Sequence, residues 1–202
     1  MTPQKHHFSV MKADNPDFDA RTQMSRIFTE GFSQWLGYFS KDKDIIAKAF
    51  AHIFVLDQFY AAVMDQKIAS MAACTNCKDP AIRLDKKELR KHLGIMKGSI
   101  AGVVLKREFE SPCKDPTPGT ASIEFVGTSP EFRGQGAASD VIQYIIENTQ
   151  YKEYLIEVAD TNIPALKLYI KLGFKEYKRK SLPRNRAKKA GINSIIFLKY
   201  VK

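Results

Sequence analysis

The sequence lacks any apolar run of about 20 residues, the length that a membrane-spanning helix requires. Its first ten residues are polar and include His6 and His7, so they also lack the apolar centre of a secretory signal. From these two absences we expect a cytoplasmic protein with no membrane partner.

Cysteine is scarce as well, with only Cys74, Cys77 and Cys113 in the chain. An odd number of cysteines without an export signal indicates free thiols in a reducing compartment. Cys74 and Cys77 have the spacing of a zinc knuckle or a redox pair, but a structural zinc site takes four ligands. No recognised spacing joins this pair to Cys113 and His92, so we expect no metal site.

The composition is that of a globular protein, with 44% hydrophobic and 27% charged residues. A length of 202 residues fits a single domain, residues 1–202, with room for a sizeable core. The formal charge of +10 indicates an anionic partner. Nucleic acid and a polyphosphate cofactor both satisfy that charge, and the charge alone does not choose between them.

Hydrophobic spacing and turn residues predict a mixed order of strands and helices. The first helix is predicted to begin at Pro16, with Asn15 as its cap, and to end at Gly37. The predicted strands are 7–12, 59–64, 68–73, 121–127, 154–159, 174–180 and 194–201. The other predicted helices are 41–54, 85–93, 99–109, 137–148 and 164–172.

This order predicts an α/β fold in which a single mixed sheet carries helices on both faces. Strands that alternate with helices favour parallel pairing, whereas the short turn at 65–67 favours an antiparallel hairpin. Residues 75–120 interrupt the alternation and read as a partly helical insertion that ends in a proline-containing loop, 110–119. The segment 178–189 reads as a basic loop between the last two strands.

A glycine-containing loop joins the strand 121–127 to the helix 137–148. Gly134 and Gly136 let the backbone turn tightly, and the amides from Gln135 to Ala138 then open the helix without partners. An anion there gains hydrogen bonds and the positive end of the helix dipole, and Arg133 adds a charge. The loop matches neither a P-loop nor a dinucleotide fingerprint, and a plain strand-to-helix turn is the alternative.

Two motifs together are similar to those of the GNAT superfamily of N-acetyltransferases. The first is Pro130 followed by Arg133-Gly-Gln-Gly-Ala-Ala138, which resembles the family's coenzyme A loop. The second runs from Asn162 to Phe174, with the family's Ala, Leu-Tyr, Lys and Gly-Phe in order. The resemblance is specific over 122–178, while 7–73 matches only in element order and 75–120 has no counterpart.

The resemblance implies acetyl transfer from acetyl-coenzyme A, without a metal, to a primary amine on a small molecule, peptide or protein. It implies that the strands 121–127 and 154–159 splay apart and receive the pantetheine arm between them. Ala138 departs from a commoner glycine that the family also replaces with alanine. The cofactor-binding residues implied in this way are Val126, Thr128, Arg133, Gly134, Gln135, Gly136, Ala137, Ala138 and Asn162.

Two residues acquire catalytic roles through the same resemblance. Tyr169 matches the phenol that protonates the leaving thiolate, although a core residue of its helix is the alternative. Glu124 lies on the strand beside the thioester, where some family members place a general base. Strand alternation predicts that Glu124 shares a face with Val126, opposite Phe125. A solvent-facing Glu124 is the alternative, and Glu157 is a weaker candidate for the base.

The acceptor stays unidentified at this level. Trp35, Tyr38 and Phe39 could line its cleft or pack in the core. The basic loop could contact nucleic acid, cofactor phosphate or an acidic acceptor, or be solvated. The competing functions are a nucleic-acid-binding module, which we do not expect, and a coenzyme A binder without catalysis. A homodimer is compatible with the sequence.

Overall fold

The computed structural model describes residues 8–14, 19–110 and 117–202, without the side chains of Glu108 and Lys189. Within these ranges seven strands and eight α-helices alternate. The strands are β1 (Ser9–Lys12), β2 (Phe59–Met64), β3 (Lys67–Thr75), β4 (Thr120–Thr128), β5 (Glu153–Ala159), β6 (Lys175–Ser181) and β7 (Ser194–Val201). The helices are α1 (Ala20–Gly31), α2 (Ser33–Leu36), α3 (Lys43–Phe50), α4 (Lys86–Leu93), α5 (Ile95–Phe109), α6 (Ala137–Asn148), α7 (Ile163–Lys171) and α8 (Arg184–Ala190).

The strands form one seven-stranded sheet in the order β1-β2-β3-β4-β5-β7-β6. All neighbours are antiparallel except β4 and β5, which are parallel. The β4–β5 pairing covers only three residue pairs and ends at Ser122 and Leu155. Since both strands continue beyond that point, they splay apart, and the predicted mixed, partly splayed sheet is confirmed.

Two apolar layers cover the two faces of the sheet. One layer, here called the α1 layer, contains Met24 and Phe28 of α1 together with side chains of α3, α4 and α5. The other, the α6 layer, contains Val141 and Ile145 of α6 together with Tyr169 of α7. Each helix contributes a stripe of apolar side chains at helical spacing, so burial of these stripes places helices on both faces.

The first helix differs from its prediction. α1 begins at Ala20, where the Asp19 side chain caps it by accepting from the N–H of Thr22 at 3.1 Å. A cap at Asn15 with Pro16 in the first turn was therefore the wrong start, and both residues lie outside the described ranges. The helical segment is also interrupted at Phe32, and its second part, α2, ends at Gly37 as predicted.

The basic segment 178–189 is not a loop. Its first residues belong to β6, an edge strand whose side chains are all exposed, and its last residues form α8. The prediction failed because α8 has no apolar stripe that would reveal a helical period. The insertion does contain two helices, α4 and α5. No helix within the described ranges is long and apolar enough to cross a membrane.

Candidate functional site

The glycine-containing loop connects the splayed end of β4 to α6. A short 3-10 turn, Pro130–Phe132, follows β4, and Gly134 and Gly136 then adopt φ values of +76° and +94°. A Cβ atom on either glycine would meet nothing within 4 Å. The backbone conformation, and not crowding by protein atoms, therefore requires glycine at both positions.

Four consecutive amides at the start of α6 have no acceptor among the residues that the structure describes. The first bonded amide of the helix is that of Asp140, which donates to the carbonyl of Gly136 at 3.1 Å. The N–H groups of residues 136–139 have no acceptor among the described residues, and no side chain caps the helix. The N–H of Gln135 donates weakly to the carbonyl of Phe132 at 3.4 Å. The open amides are thus shifted by one residue from the expected Gln135–Ala138.

A wedge opens between β4 and β5 next to these amides. The N–H of Ser129 donates to the carbonyl of Ala69 at 2.9 Å, so that position of the chain faces β3. Because strand backbone groups alternate in direction, the N–H and C=O groups of Val126 and Thr128 face the opposite side, toward β5. Neither residue pairs with β5. Their backbone groups therefore line the wedge.

Phe125 interrupts β4 with a β-bulge. Its φ is +52°, and the register against β3 shifts between Met71 and Ala73. Such a φ is strained for an aromatic residue and persists only where its surroundings hold it. The Phe125 ring lies among four other rings at centroid distances of 6.0 to 6.4 Å, those of Phe28, Phe32, Phe59 and Phe109.

The bulge overturns the predicted direction of Glu124. Glu124 pairs with Ala73, whose side chain lies in the α1 layer, and Phe125 packs against the same layer. Val126 packs against the α6 layer instead. Glu124 therefore shares a face with Phe125 and not with Val126. The prediction was wrong because the bulge adds one residue and shifts the alternation that follows.

Glu124 sits in a partly buried polar environment. The Thr75 hydroxyl donates to its Oε1 atom at 3.2 Å. Burial raises the pKa of Glu124, and a smaller contribution from Glu157 also raises it, while hydrogen bonds from Ser122 and Thr75 oppose the shift. A raised pKa suits a group that must accept a proton near neutral pH. Sequence reasoning missed Thr75 and Ser122, because only the strand register brings them beside Glu124.

Tyr169 lies in the α6 layer and is only 5% exposed. Its ring packs at 6.2 Å from that of Phe174. Within the described part of the chain its hydroxyl makes no hydrogen bond, and burial raises the pKa of the phenol. The hydroxyl is therefore protonated at neutral pH and free to donate.

Asn162 has the cap role predicted for it, since its side chain accepts from the N–H of Ala165 at 3.3 Å. Arg133 is exposed at the end of the 3-10 turn. Of the three aromatic residues after α1, Phe39 is buried, whereas Trp35 is 39% and Tyr38 is 69% exposed. Only Phe39 therefore belongs to the core.

The two described cysteines, Cys74 and Cys77, are buried and unbridged. Burial raises the pKa of Cys74 to about 12, so its thiol stays neutral. No group of three His, Cys, Asp or Glu side chains within the described ranges could hold a metal ion. Cys113 lies outside those ranges.

A groove of about 720 Å³ lies between α1 and the start of the glycine-containing loop. Two ion pairs neutralise part of its charged lining, Lys43 with Glu30 at 2.8 Å and Lys67 with Glu131 at 3.3 Å. None of the predicted site residues lines this groove. The candidate site is instead the wedge, with the open amides at its end.

The sequence matches the model of the acetyltransferase (GNAT) family over residues 22–174. No curated protein matches the chain.

Solved structures share the fold at low identity. An N-acetyltransferase from Staphylococcus aureus Mu50 is 16% identical, with a TM-score of 0.61 over 95% of this chain and 100% of its own. A protein from Pyrococcus horikoshii OT3 is 13% identical, with a TM-score of 0.57 over 97% and 99% of the two chains. A polyamine N-acetyltransferase from Drosophila melanogaster is 9% identical, with a TM-score of 0.51 over 97% and 100%. Because the family model spans most of the sequence, including the open amides and the wedge, this chain belongs to the GNAT family of acetyltransferases.

Proposed function

We propose that the chain transfers the acetyl group of acetyl-coenzyme A to a primary amine of an acceptor. The observation that carries the proposal is the continuity of two features, the open amides of residues 136–139 and the wedge between β4 and β5. The first binds a pyrophosphate and the second an extended, amide-containing arm.

The cofactor-binding residues follow from this arrangement. The helix dipole and the amides of Gly136, Ala137 and Ala138 hold the pyrophosphate, with Arg133 as an adjacent charge. Gly134 and Gln135 shape the turn that presents these amides. Val126 and Thr128 bond the arm through their backbone groups, and Asn162 lies at the start of α7, on the other side of the wedge.

Glu124 acts on the attacking amine, and Tyr169 acts on the leaving thiolate. Glu124 takes a proton from the acceptor ammonium, and the neutral amine then attacks the thioester carbonyl. The carbon–sulfur bond breaks, and Tyr169 gives its proton to the leaving sulfur. The proton that the new amide nitrogen then loses restores the Tyr169 phenol. Glu124 is on the face of the sheet that the α1 layer covers, whereas Tyr169 lies in the α6 layer, which supports separate roles for base and acid on the two sides of the sheet.

The acceptor is a primary amine, and an activity assay with different classes of amine identifies it. The structural neighbour from Drosophila melanogaster acts on polyamines, which makes polyamines a rational first set. Peptide amines form the second set. We further propose that the sheet and its insertion act as one domain, and that the reaction takes place in the cytoplasm.

The test is acetyl transfer by the purified full chain, followed with acetyl-coenzyme A labelled in the acetyl group. Polyamines, monoamines and peptides with free amines serve as acceptors. We expect labelled amide product with at least one class, together with stoichiometric free coenzyme A. Binding of coenzyme A without transfer to any amine would favour a non-catalytic coenzyme A binder.

A further inference from the structure

The insertion helix α5 is apolar on two opposite sides. Its buried side, which includes Gly98, Ala101 and Leu105, packs against α4 and the α1 layer. Its outer side carries Met96 at 77% and Val103 at 59% exposure. Large apolar side chains gathered on the exposed side of a helix often mark a contact with a partner, so the outer side of α5 indicates a partner that the core does not supply.

The exposed apolar residues are concentrated on this one helix. Twelve large apolar side chains are exposed among the described residues, and five of them belong to α5: Ile95, Met96, Ile100, Val103 and Val104. We call these five the α5 stripe. At 3.6 residues per turn, Met96, Ile100, Val103 and Val104 fall on one side of the helix together with the exposed Arg107, while Lys97 and Lys106 lie roughly 90° to either side. Ile95, at the start of the helix, lies roughly 100° from Met96.

The same helical hairpin holds half of the formal charge of the chain. Residues 86–109 contain seven Lys or Arg against Glu88 and Glu108, which gives +5 of the total +10. The hairpin is packed tightly, because a Cβ on Gly98 would come within 2.6 Å of the Arg90 backbone. Its apolar stripe and its basic residues are therefore held together on one rigid element.

An exposed aromatic residue lies in a chain segment next to α5. Lys97 donates from its Nζ atom to the carbonyl of Phe39 at 3.0 Å, which places the segment 37–39 beside α5. Tyr38 in that segment is 69% exposed. Tyrosine is favoured where one end of the ring meets apolar material and the other meets water.

We propose that the α5 stripe docks on the surface of a membrane that contains anionic lipids. Apolar residues flanked by lysines are the composition of helices that lie in the lipid interface, and each basic residue near an anionic surface adds to binding. A helix lying on the surface needs no spanning segment. The proposal therefore replaces the expectation that the chain has no membrane partner.

The observations favour a lipid surface over other occupants. A second copy would bring together two hairpins of charge +5, which repel each other. Nucleic acid would satisfy the charge but leave the aliphatic stripe without a partner. The stripe is a single convex ridge, and neither the groove beside α1 nor a smaller one near α2 includes an α5 residue. A fluid interface can close around such a ridge.

The experiment is co-sedimentation of the full chain with vesicles of phosphatidylcholine, alone or mixed with phosphatidylserine. We expect binding that requires phosphatidylserine and weakens as salt is added. The variant Ile95→Ser with Met96→Ser changes two highly exposed side chains at the start of α5. Its partition onto the mixed vesicles should fall by about tenfold or more.

The matched control is Ile170→Ser with Val201→Ser, two apolar residues that are 57% and 64% exposed outside the hairpin. It should bind the vesicles like the unmodified chain. Absence of phosphatidylserine-dependent binding, or equal loss in both variants, would overturn the proposal. So would light scattering that finds a dimer in the unmodified chain and a monomer in the stripe variant, since a second copy would then cover α5. Thermal unfolding of both variants ensures that folded proteins are compared.

Discussion

The Tyr169 hydroxyl makes no hydrogen bond within the described part of the chain, and its oxygen is not among the fully enclosed, unpaired polar atoms there, so a ligand can reach it. We expect Tyr169→Phe to lower kcat by about 10²- to 10⁴-fold. Cofactor affinity and thermal stability should change little, because the ring and its packing against Phe174 are kept and the hydroxyl makes no hydrogen bond to a described residue. Steady-state kinetics, calorimetry and thermal unfolding measure the three quantities.

Tyr154→Phe is the control for that variant. The Tyr154 hydroxyl bonds with that of Thr149 at 2.7 Å, so its loss should cost about 1 kcal/mol of stability and leave kcat intact. If Tyr169→Phe turned over like the unmodified enzyme, Tyr169 would be a core residue only.

As the proposed base, Glu124 should make activity depend on pH in a defined direction. As a base it must be ionised, and burial raises its pKa, so kcat/KM should rise with pH through that elevated pKa. Glu124→Gln should lower the rate and remove this acidic limb. Glu176→Gln is the control, since Glu176 is an exposed carboxylate paired with Arg179 at 2.8 Å. An unchanged limb in Glu124→Gln would assign the base to another group, with Glu157 the first to test.

The raised pKa of Glu124 also makes the stability of the fold depend on pH. The folded pKa of Glu124 lies above the unfolded value, so its contribution is fully present below the unfolded pKa and is lost as pH rises through the folded one. Glutamine never ionises and avoids that loss. Glu124→Gln should therefore be more stable, relative to the unmodified chain, at neutral than at acidic pH.

At the scale of elements, we expect the charge at the turn into α6 to decide whether the cofactor binds. Gly136→Glu places a carboxylate at the open amides, where it repels the pyrophosphate, and we expect calorimetry to detect no cofactor binding. Gly191→Glu is the matched control, because Gly191 also has a positive φ of +66° with nothing within 4 Å of its Cβ position. Equal affinity of the two variants would remove the turn from the binding site.

A variant of α8 distinguishes an acetyltransferase from a nucleic-acid-binding module. Replacing Arg184, Arg186, Lys188 and Lys189 with Gln keeps helix-forming residues while removing four charges. We expect weak, non-specific binding of RNA and duplex DNA before the change, and unaltered cofactor affinity after it. Tight, salt-sensitive nucleic-acid binding that the variant loses while transfer persists would favour the nucleic-acid-binding module.

Sequence reasoning predicted the bounds of those elements whose ends are marked by their own residues. The bounds of α6 and β7 agree with the prediction, because apolar spacing and flanking turn residues mark both. It failed at Phe125, where nothing local announces a bulge, since packing with rings from distant segments holds the positive φ. It also failed for the contact between Thr75 and Glu124, because that contact depends on strand register.

At the scale of the whole molecule, ligand binding should stabilise the fold. Acetyl-coenzyme A bound in the wedge would contact β4, α6 and the start of α7 at once. Cofactor at about 100 times its Kd adds about 2.7 kcal/mol to the free energy of unfolding, which should raise Tm by several degrees. Thermal unfolding with and without the cofactor measures the rise. No shift at concentrations far above micromolar would contradict cofactor binding.

The short β4–β5 pairing has a consequence for the lifetime of the protein. Among the described residues, the backbone pairing between strands β1 to β4 and strands β5 to β7 amounts to three residue pairs, and the α6 layer packs across both groups. A bound co-substrate would supply further backbone hydrogen bonds between β4 and β5. It would dissociate whenever its concentration fell. Degradation follows the population of open states, so the protein would survive longest in cells rich in its own acetyl donor. Abundance would then follow metabolic supply without any change in synthesis.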